Sequence, residues 1–316
     1  MGSSIKTRLF FCLIALAAAP HLSANVVPPP DTPKEESLEQ DFIDANIEIG
    51  EWFDDVAEGL DLFLVGRRLT RRANETYVKI ENSTFLKDTR GPNNVTSLIA
   101  NVRLPNFEKY WQLKFTSFDD TREQRSSRNN YIRNAPREQN YGASVGLFRR
   151  LGNVRSSFQP RIDLQGSFKV SHSLGFESIA EYRRSRVNPK LELYATPDRG
   201  VGIYQALNFN YRLTRRFSIT LINQGDYEEK LHRYSVTNGI SVGHTLTDLK
   251  ALSYNVFFLS NNRPNYHLQN YSFSITWSEV IYRKILDYQV TPHLDFDEEN
   301  GFGGLAGITF DIALNF

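Results

Sequence analysis

The sequence predicts an all-β fold, a transmembrane antiparallel β-barrel of about 14 strands, on three observations. Apolar and polar residues alternate with period two from Thr76 onward. The alternating stretches have the length of about 9–11 residues that a tilted strand needs to cross a bilayer, whereas sandwich strands average about 5–6. Aromatic residues make up 13% of a chain whose mean hydropathy is only −0.43, as expected when a polar interior offsets a lipid-facing surface.

Composition narrows the alternatives. A formal charge of +1 over 316 residues excludes a generic basic nucleic-acid binder, so no nucleic-acid partner is expected. Cys12 is the one cysteine, which excludes a disulfide framework or a Cys-based zinc site.

The elements follow in chain order. Lys6 and Arg8 precede an apolar run from Leu9 to Ala19, too short to span a bilayer as a helix. Small residues follow, with Ala24 the best cleavage point. Residues 1–24 therefore read as a secretory signal peptide. Its removal takes away two cations and no acid, leaving a Cys-free chain of net charge −1. Residues 25–37, with Pro28, Pro29, Pro30 and Pro33, read as an extended linker.

A helical period comes next, over 38–66. Leu38, Phe42, Ala45, Ile49, Trp52, Val56, Leu60 and Phe63 share one face. Eleven acids between Glu35 and Asp61 stand against Lys34 alone. So acidic a helix is not expected on an anionic membrane. It is expected either to cap the barrel or to act as a plug or a docking element for a periplasmic partner through residues 38–64.

The barrel is expected over 76–316. Val201, Ile203, Leu207, Phe209, Tyr211 and Leu213 form one row, interleaved with Gly202, Tyr204, Ala206, Asn208, Asn210 and Arg212. Tyr271, Phe273, Ile275 and Trp277 oppose Ser272, Ser274, Thr276 and Ser278 in the same way. Aromatics near strand ends (Trp111, Tyr211, Trp277, Tyr282) suit interfacial girdles. Phe310, Ile312, Leu314 and Phe316 alternate with polar or small residues up to the last position. This resembles the C-terminal signal that the barrel-assembly machinery reads in bacterial outer-membrane proteins. It implies outer-membrane lipids and that machinery as partners, and the cell outer membrane as the location.

Fourteen strands fit the pattern, with twelve as the alternative; both are even, as single-chain bacterial barrels require. Parity then places a basic repeat at the periplasmic turns: Arg149-Arg150, Arg183-Arg184, Arg215-Arg216, Lys250 and Arg283-Lys284. These recur every 32–35 residues, with Arg67 and Arg68 at the same end. Such a rim either snorkels to lipid phosphates or receives the acidic helix. The longest loop, Asp119 to Asn140, falls on the opposite side and carries Arg122, Glu123, Arg125, Arg128, Arg133, Arg137 and Glu138. It either folds inward as a constriction or stays solvated.

The lumen-facing row offers Lys79, Glu81, Arg103, Lys114, Lys169, Glu177, Glu181, Arg183, Arg212, Asp287, His293, Asp295 and Asp311. These charges either form opposed walls around a polar passage or pair across a narrow lumen and fill it. No catalytic constellation accompanies His172-Ser173, no histidines have metal-ligand spacing, and no cofactor is implied. A passive, porin-like channel for small polar solutes is the leading expectation. A scaffolding barrel is the second, and an outer-membrane lipid hydrolase a remote third.

The layout resembles a family of uncharacterised outer-membrane β-barrel proteins of Gram-negative bacteria. Trp52-Phe53-Asp54, Arg103-Leu104-Pro105, Tyr182-Arg183-Arg184-Ser185, Tyr282-Arg283-Lys284, Val290-Thr291-Pro292 and the aromatic terminus carry the likeness. It implies a fold and a location, and no activity.

Overall fold

The computed structural model describes residue 40 and residues 42–51, 76–88, 90–103, 111–165, 168–281 and 285–316. The expected signal peptide and linker, the helix beyond residue 51, and Arg67, Arg68, Arg283 and Lys284 lie outside the described residues.

Period-two alternation yields strands because successive side chains leave a strand on opposite faces. The wall begins with β1 (Tyr77–Lys87), β2 (Arg90–Arg103), β3 (Trp111–Phe118), β4 (Gln139–Leu151) and β5 (Val154–Asp163). Strand β6 (Lys169–Ser178) resumes after Ile179 as Ala180–Tyr182, and both stretches pair with β7 (Ser185–Thr196). Then come β8 (Gly200–Arg212), β9 (Phe217–Glu228), β10 (Arg233–Thr247) and β11 (Lys250–Asn261). The wall ends with β12 (His267–Ile281), β13 (Leu286–Asp297) and β14 (Gly304–Asn315). Each strand pairs antiparallel with the next, and β14 returns to β1, with Ile80 opposite Leu314 and Thr84 opposite Phe310. The described residues thus form a closed barrel of fourteen strands.

An even count leaves Tyr77 and Phe316 at the same end, here the terminal rim, and residues 119–138 at the other, the loop rim. Phe316 is tied to β1 by a reciprocal pair of backbone bonds with Val78, at 2.8 and 3.1 Å. The alternation places four strand starts at 95, 158, 174 and 190; the structure begins β2, β5, β6 and β7 four or five residues earlier, at Arg90, Val154, Lys169 and Ser185, and ends β5 at Asp163 rather than 170. Gly152, at φ 64°, makes a two-residue turn after β4 that only a residue tolerant of positive φ forms without strain. The next strand therefore begins at once.

Burial is inverted relative to a soluble sandwich. Leu207 is 54% exposed and Ile275 46%, on the outer row, whereas Thr309 and Ser272 on the inner row are fully enclosed. The apolar row therefore faces lipid and the polar row faces the lumen.

Before the barrel, residue 40 and residues 42–51 are helical. From residue 43 on, Ile43 is the most buried position, and Asn46 donates to the Asn315 carbonyl at 2.9 Å. Gly50 lies beside the Phe316 backbone. Of the expected apolar face, Ala45 and Ile49 are partly covered, as are Asn46 and Gly50 beside them. Ile47 stays half exposed.

A positive charge on the outer row tests the inverted wall. Leu221→Arg, in the middle of β9, should destabilise the barrel in lipid vesicles by about 2–4 kcal/mol. The measurement is denaturant unfolding followed by tryptophan fluorescence.

Candidate functional site

The lumen is crossed by the chain between β3 and β4. This loop opens with a short helix, α1 (Asp120–Gln124), capped by the Asp119 carboxylate, which accepts from the Arg122 N–H at 3.1 Å and the Thr121 hydroxyl at 2.6 Å. A 3₁₀ turn (Ser127–Asn130) follows.

Arg161 of β5 holds both roots of the loop. Its guanidinium is fully enclosed and lies 3.1 Å from Asp120, 3.2 Å from Asp163 and 3.8 Å from Asp119. It also donates to the Thr116 hydroxyl at 2.7 Å and to the Asn140 carbonyl at 2.8 Å. One side chain therefore bonds the start of the loop, its end and the floor beneath. Gly142 on the neighbouring strand makes this possible, since any Cβ there would overlap the guanidinium. Lys114 adds a second cation to Asp120 at 2.6 Å.

Farther along, the loop bonds other strands of the wall. Arg125 pairs with Glu192 at 3.0 Å, and its guanidinium sits 4.0 Å above the Tyr194 ring. The Tyr131 carbonyl accepts from Thr276 at 3.2 Å, and the Arg133 carbonyl from Thr309 at 2.7 Å. Asn134 donates to Asp295 at 2.8 Å, and Arg128 lies 3.6 Å from the same carboxylate. Arg133 and Arg137 both bind Glu81 and Glu123. Ile132, 1% exposed, packs on Ile222 and Phe257 with Tyr131 alongside, so this part of the lumen is filled by an apolar contact.

Among the described residues, cavities lie on the β3–β7 side. One, of about 470 Å³, opens toward the loop rim and is bounded by Arg122, Glu123, Arg137, Asp198 and Arg199 among others. The second, of about 200 Å³, lies toward the terminal rim between Asn101, Gln112, Lys114, Arg155, Gln159 and Glu192 among others. Helix α1 gives Arg122 and Glu123 to the first and Asp120 and Gln124 to the second. A single helical turn therefore separates them.

The candidate lumen residues are placed as follows. Glu81 and Lys79, 3.3 Å apart, lie on the inner row of β1, where Glu81 receives the loop arginines. Lys114 meets Asp120, and Arg103 stands opposite Gln112 in the β2–β3 register. Lys169 pairs with Asp198 at the loop rim, 2.8 Å away. Glu177 accepts from Asn188 at 3.0 Å, and Glu181 faces Arg186 at the terminal rim. Arg212 is exposed at the end of β8, and Asp287 accepts from Asn315 at 2.9 Å. His293 lies 3.1 Å from Asp295, and Asp311 accepts from Ser83. The basic pairs Arg149-Arg150, Arg183-Arg184 and Arg215-Arg216 are exposed on the terminal rim. Phe310 is exposed on the outer row, which Ile312 and Leu314 continue toward Phe316. His172 stacks on Phe158 on the lipid side, while Ser173 is buried on the inner row, so the adjacency brings no His and Ser together. Among the described residues no cluster of acids and histidines is placed to hold a metal ion.

Three side chains central to this site were not singled out from the sequence: Arg161, Asp120 and Glu192. The available signal was an arginine between Pro160 and Ile162 on an inward position.

A closed antiparallel barrel with lipid-facing apolar rows and a polar, loop-filled interior defines the class: the chain is a transmembrane β-barrel. Its architecture resembles the general class of outer-membrane porins and channels. Among solved structures, it is similar to a loop L8 deletion mutant of OmpT, an outer membrane protein of Vibrio cholerae, at 7% identity and TM-score 0.48, covering 77% of this chain and 99% of that one. The outer membrane channel DcaP of Acinetobacter baumannii superposes at 7% identity and TM-score 0.46, over 77% and 97%. The KdgM porin does so at 9% and 0.37, over 75% and 99%. No family model and no curated protein matches the sequence.

Removing the Arg161 clamp should free the loop. Losing one partner of a buried ion pair costs about 3–5 kcal/mol, so Arg161→Leu should speed proteolytic cleavage within 121–137 by about two orders of magnitude or more. Gel analysis of timed digests checks this.

Asp119 supplies a pH test. Burial alone would raise its pKa, but the Thr121 hydroxyl, the Arg122 N–H and the charges of Arg125 and Arg161 outweigh burial and hold it below 3.8. A lowered carboxylate stabilises above its ordinary pKa and loses that contribution as pH falls through the lowered value. Exchange protection of the α1 amides, corrected for intrinsic rates, should be unchanged from pH 7 to about pH 5 and fall only in stronger acid.

Proposed function

We propose that the protein is a passive, porin-like channel for small polar solutes, with the β3–β4 loop as its constriction. The observation that carries this reading is the pair of polar cavities along one side of the lumen, separated by one turn of helix. Both are lined by cations and acids together, so the passage has no strong preference for either sign of charge. Neutral and zwitterionic solutes fit it best.

The helix before the barrel is proposed to shield the terminal mouth. Asn46 already meets the Asn315 carbonyl at that end, and Glu48 and Glu51 are exposed near a rim of exposed arginines. Complementary charge sets orientation there more than affinity. The remaining rim arginines are proposed to contact lipid phosphates.

A second reading keeps one observation in its favour. The β9–β12 side of the lumen is filled by Ile132, Ile222 and Phe257. That filling suits a scaffolding barrel whose segment 38–64 recruits a periplasmic partner.

Single-channel recording in planar bilayers separates the two. The channel reading expects small, discrete conductance steps that rise severalfold when residues 121–137 are replaced by a short Gly-Ser linker. A silent wild-type barrel with intact heat-modifiable mobility would refute it. Deleting residues 35–64 should raise conductance further if the helix shields the mouth. An unchanged trace would defeat that part alone.

A further inference from the structure

The inserted loop leaves a gap in the wall. Strand β3 ends at Phe118, and its last β2 partner pair is Thr116 with Ile99. Leu98 still donates its N–H to the Ser117 hydroxyl at 2.9 Å. Beyond that point the chain turns inward at Asp119, and β2 runs on toward Arg90 paired only with β1. Among the described residues no backbone partner faces Thr96 or Asn94 on the β3 side, and both residues are exposed.

This free edge lies within the lipid-facing belt. Thr84 stands opposite Asn94 in one register and opposite Phe310 in the other. One step nearer the loop rim, Leu86 and its partner Ile308 are apolar and exposed, and Leu98 is exposed on the other side. Lipid-exposed strand edges are not tolerated in hydrocarbon, because their backbone groups have no water to bond.

A second oddity occupies the same patch. Asn82, Thr84, Asn94 and Thr96 project outward as one hydrogen-bonded cluster, with reciprocal amide bonds of 2.9 and 2.8 Å between Asn82 and Asn94. Asn94 also reaches the Thr84 hydroxyl at 2.7 Å, and Asn82 the Thr96 hydroxyl at 2.9 Å. Amides and hydroxyls on a membrane-facing surface favour protein contact over lipid.

We propose that the β2 edge is the interface for a second copy of this chain, joined antiparallel about a two-fold axis near Val95. The edge suits itself. No charged residue occurs between Arg90 and Arg103, so self-pairing brings no like charges together. The usual edge guard, an outward lysine, is missing. Pro92, which lacks an N–H, limits the pairing to a short segment around Asn94–Thr96. An isologous contact there sets Asn94 beside the partner copy's Thr96, so each polar patch extends the other. This inference is independent of whether the lumen conducts.

The test uses the full chain exported to the outer membrane. Thr96→Cys and Asn94→Cys, each treated in whole membranes with a short bifunctional maleimide, should give a band at twice the monomer mass. Ile240→Cys, outward on β10, should not. The dimer should also be the main species of the unsubstituted protein in mild detergent, and Thr96→Pro should convert it to monomer with heat-modifiable mobility retained. If Thr96→Pro does not fold, the cysteine pair still decides. Absence of the band at both edge positions, a band of equal strength at Ile240→Cys, or cross-linking to a different protein would overturn the proposal.

Discussion

The structure turns on one enclosed guanidinium. A buried charge is tolerated only when its donors are met, and Arg161 meets them with the two roots of a single loop. Asp119 and Asp120 bind it where the chain leaves β3, and Asn140 binds it where the chain returns to β4. With both roots fixed to β5, the intervening residues have their nearest partners inside the barrel. The rest of the insertion follows from that direction. Arginines along the loop reach inner-row carboxylates, and Ile132 packs into an apolar recess between Ile222 and Phe257.

The inner-row charges gain a different meaning once the loop is in place. Glu81, Glu192, Asp295 and Asp311 each lie near a loop cation. They hold the loop as well as line the lumen. Coulombic attraction in a partly dry interior is stronger than at a surface. Yet the desolvation of each ion offsets much of it, so position and register gain more from these pairs than stability does.

The wall was legible in the sequence and the loop was not, for a physical reason. Alternation is a local property, and lipid outside plus polarity inside imprints it on every strand. The loop segment from Asp119 to Asn140 is rich in arginine and acid, a composition that serves equally in water and in a polar lumen. Its placement depends on partners 40 to 180 residues away, such as Asp120 with Arg161 and Arg133 with Thr309. Periodicity carries no trace of such pairs. The helix shows the same limit at smaller scale: its period was readable, but the bond from Asn46 to the Asn315 carbonyl, 269 residues away, was not.

Narrowing the lumen and keeping the wall continuous compete for the same residues. Had the chain after Phe118 continued upward, it would have completed the ladder along β2 to Asn94 and left the interior wide. By turning in at Asp119 it narrows the lumen and removes that ladder. The two states share one set of backbone groups, so anything that covers the β2 edge also favours the inserted loop. Anything that draws the loop out offers that edge a strand again. The width of the lumen and the exposure of the β2 edge are thereby set by the same peptide segment.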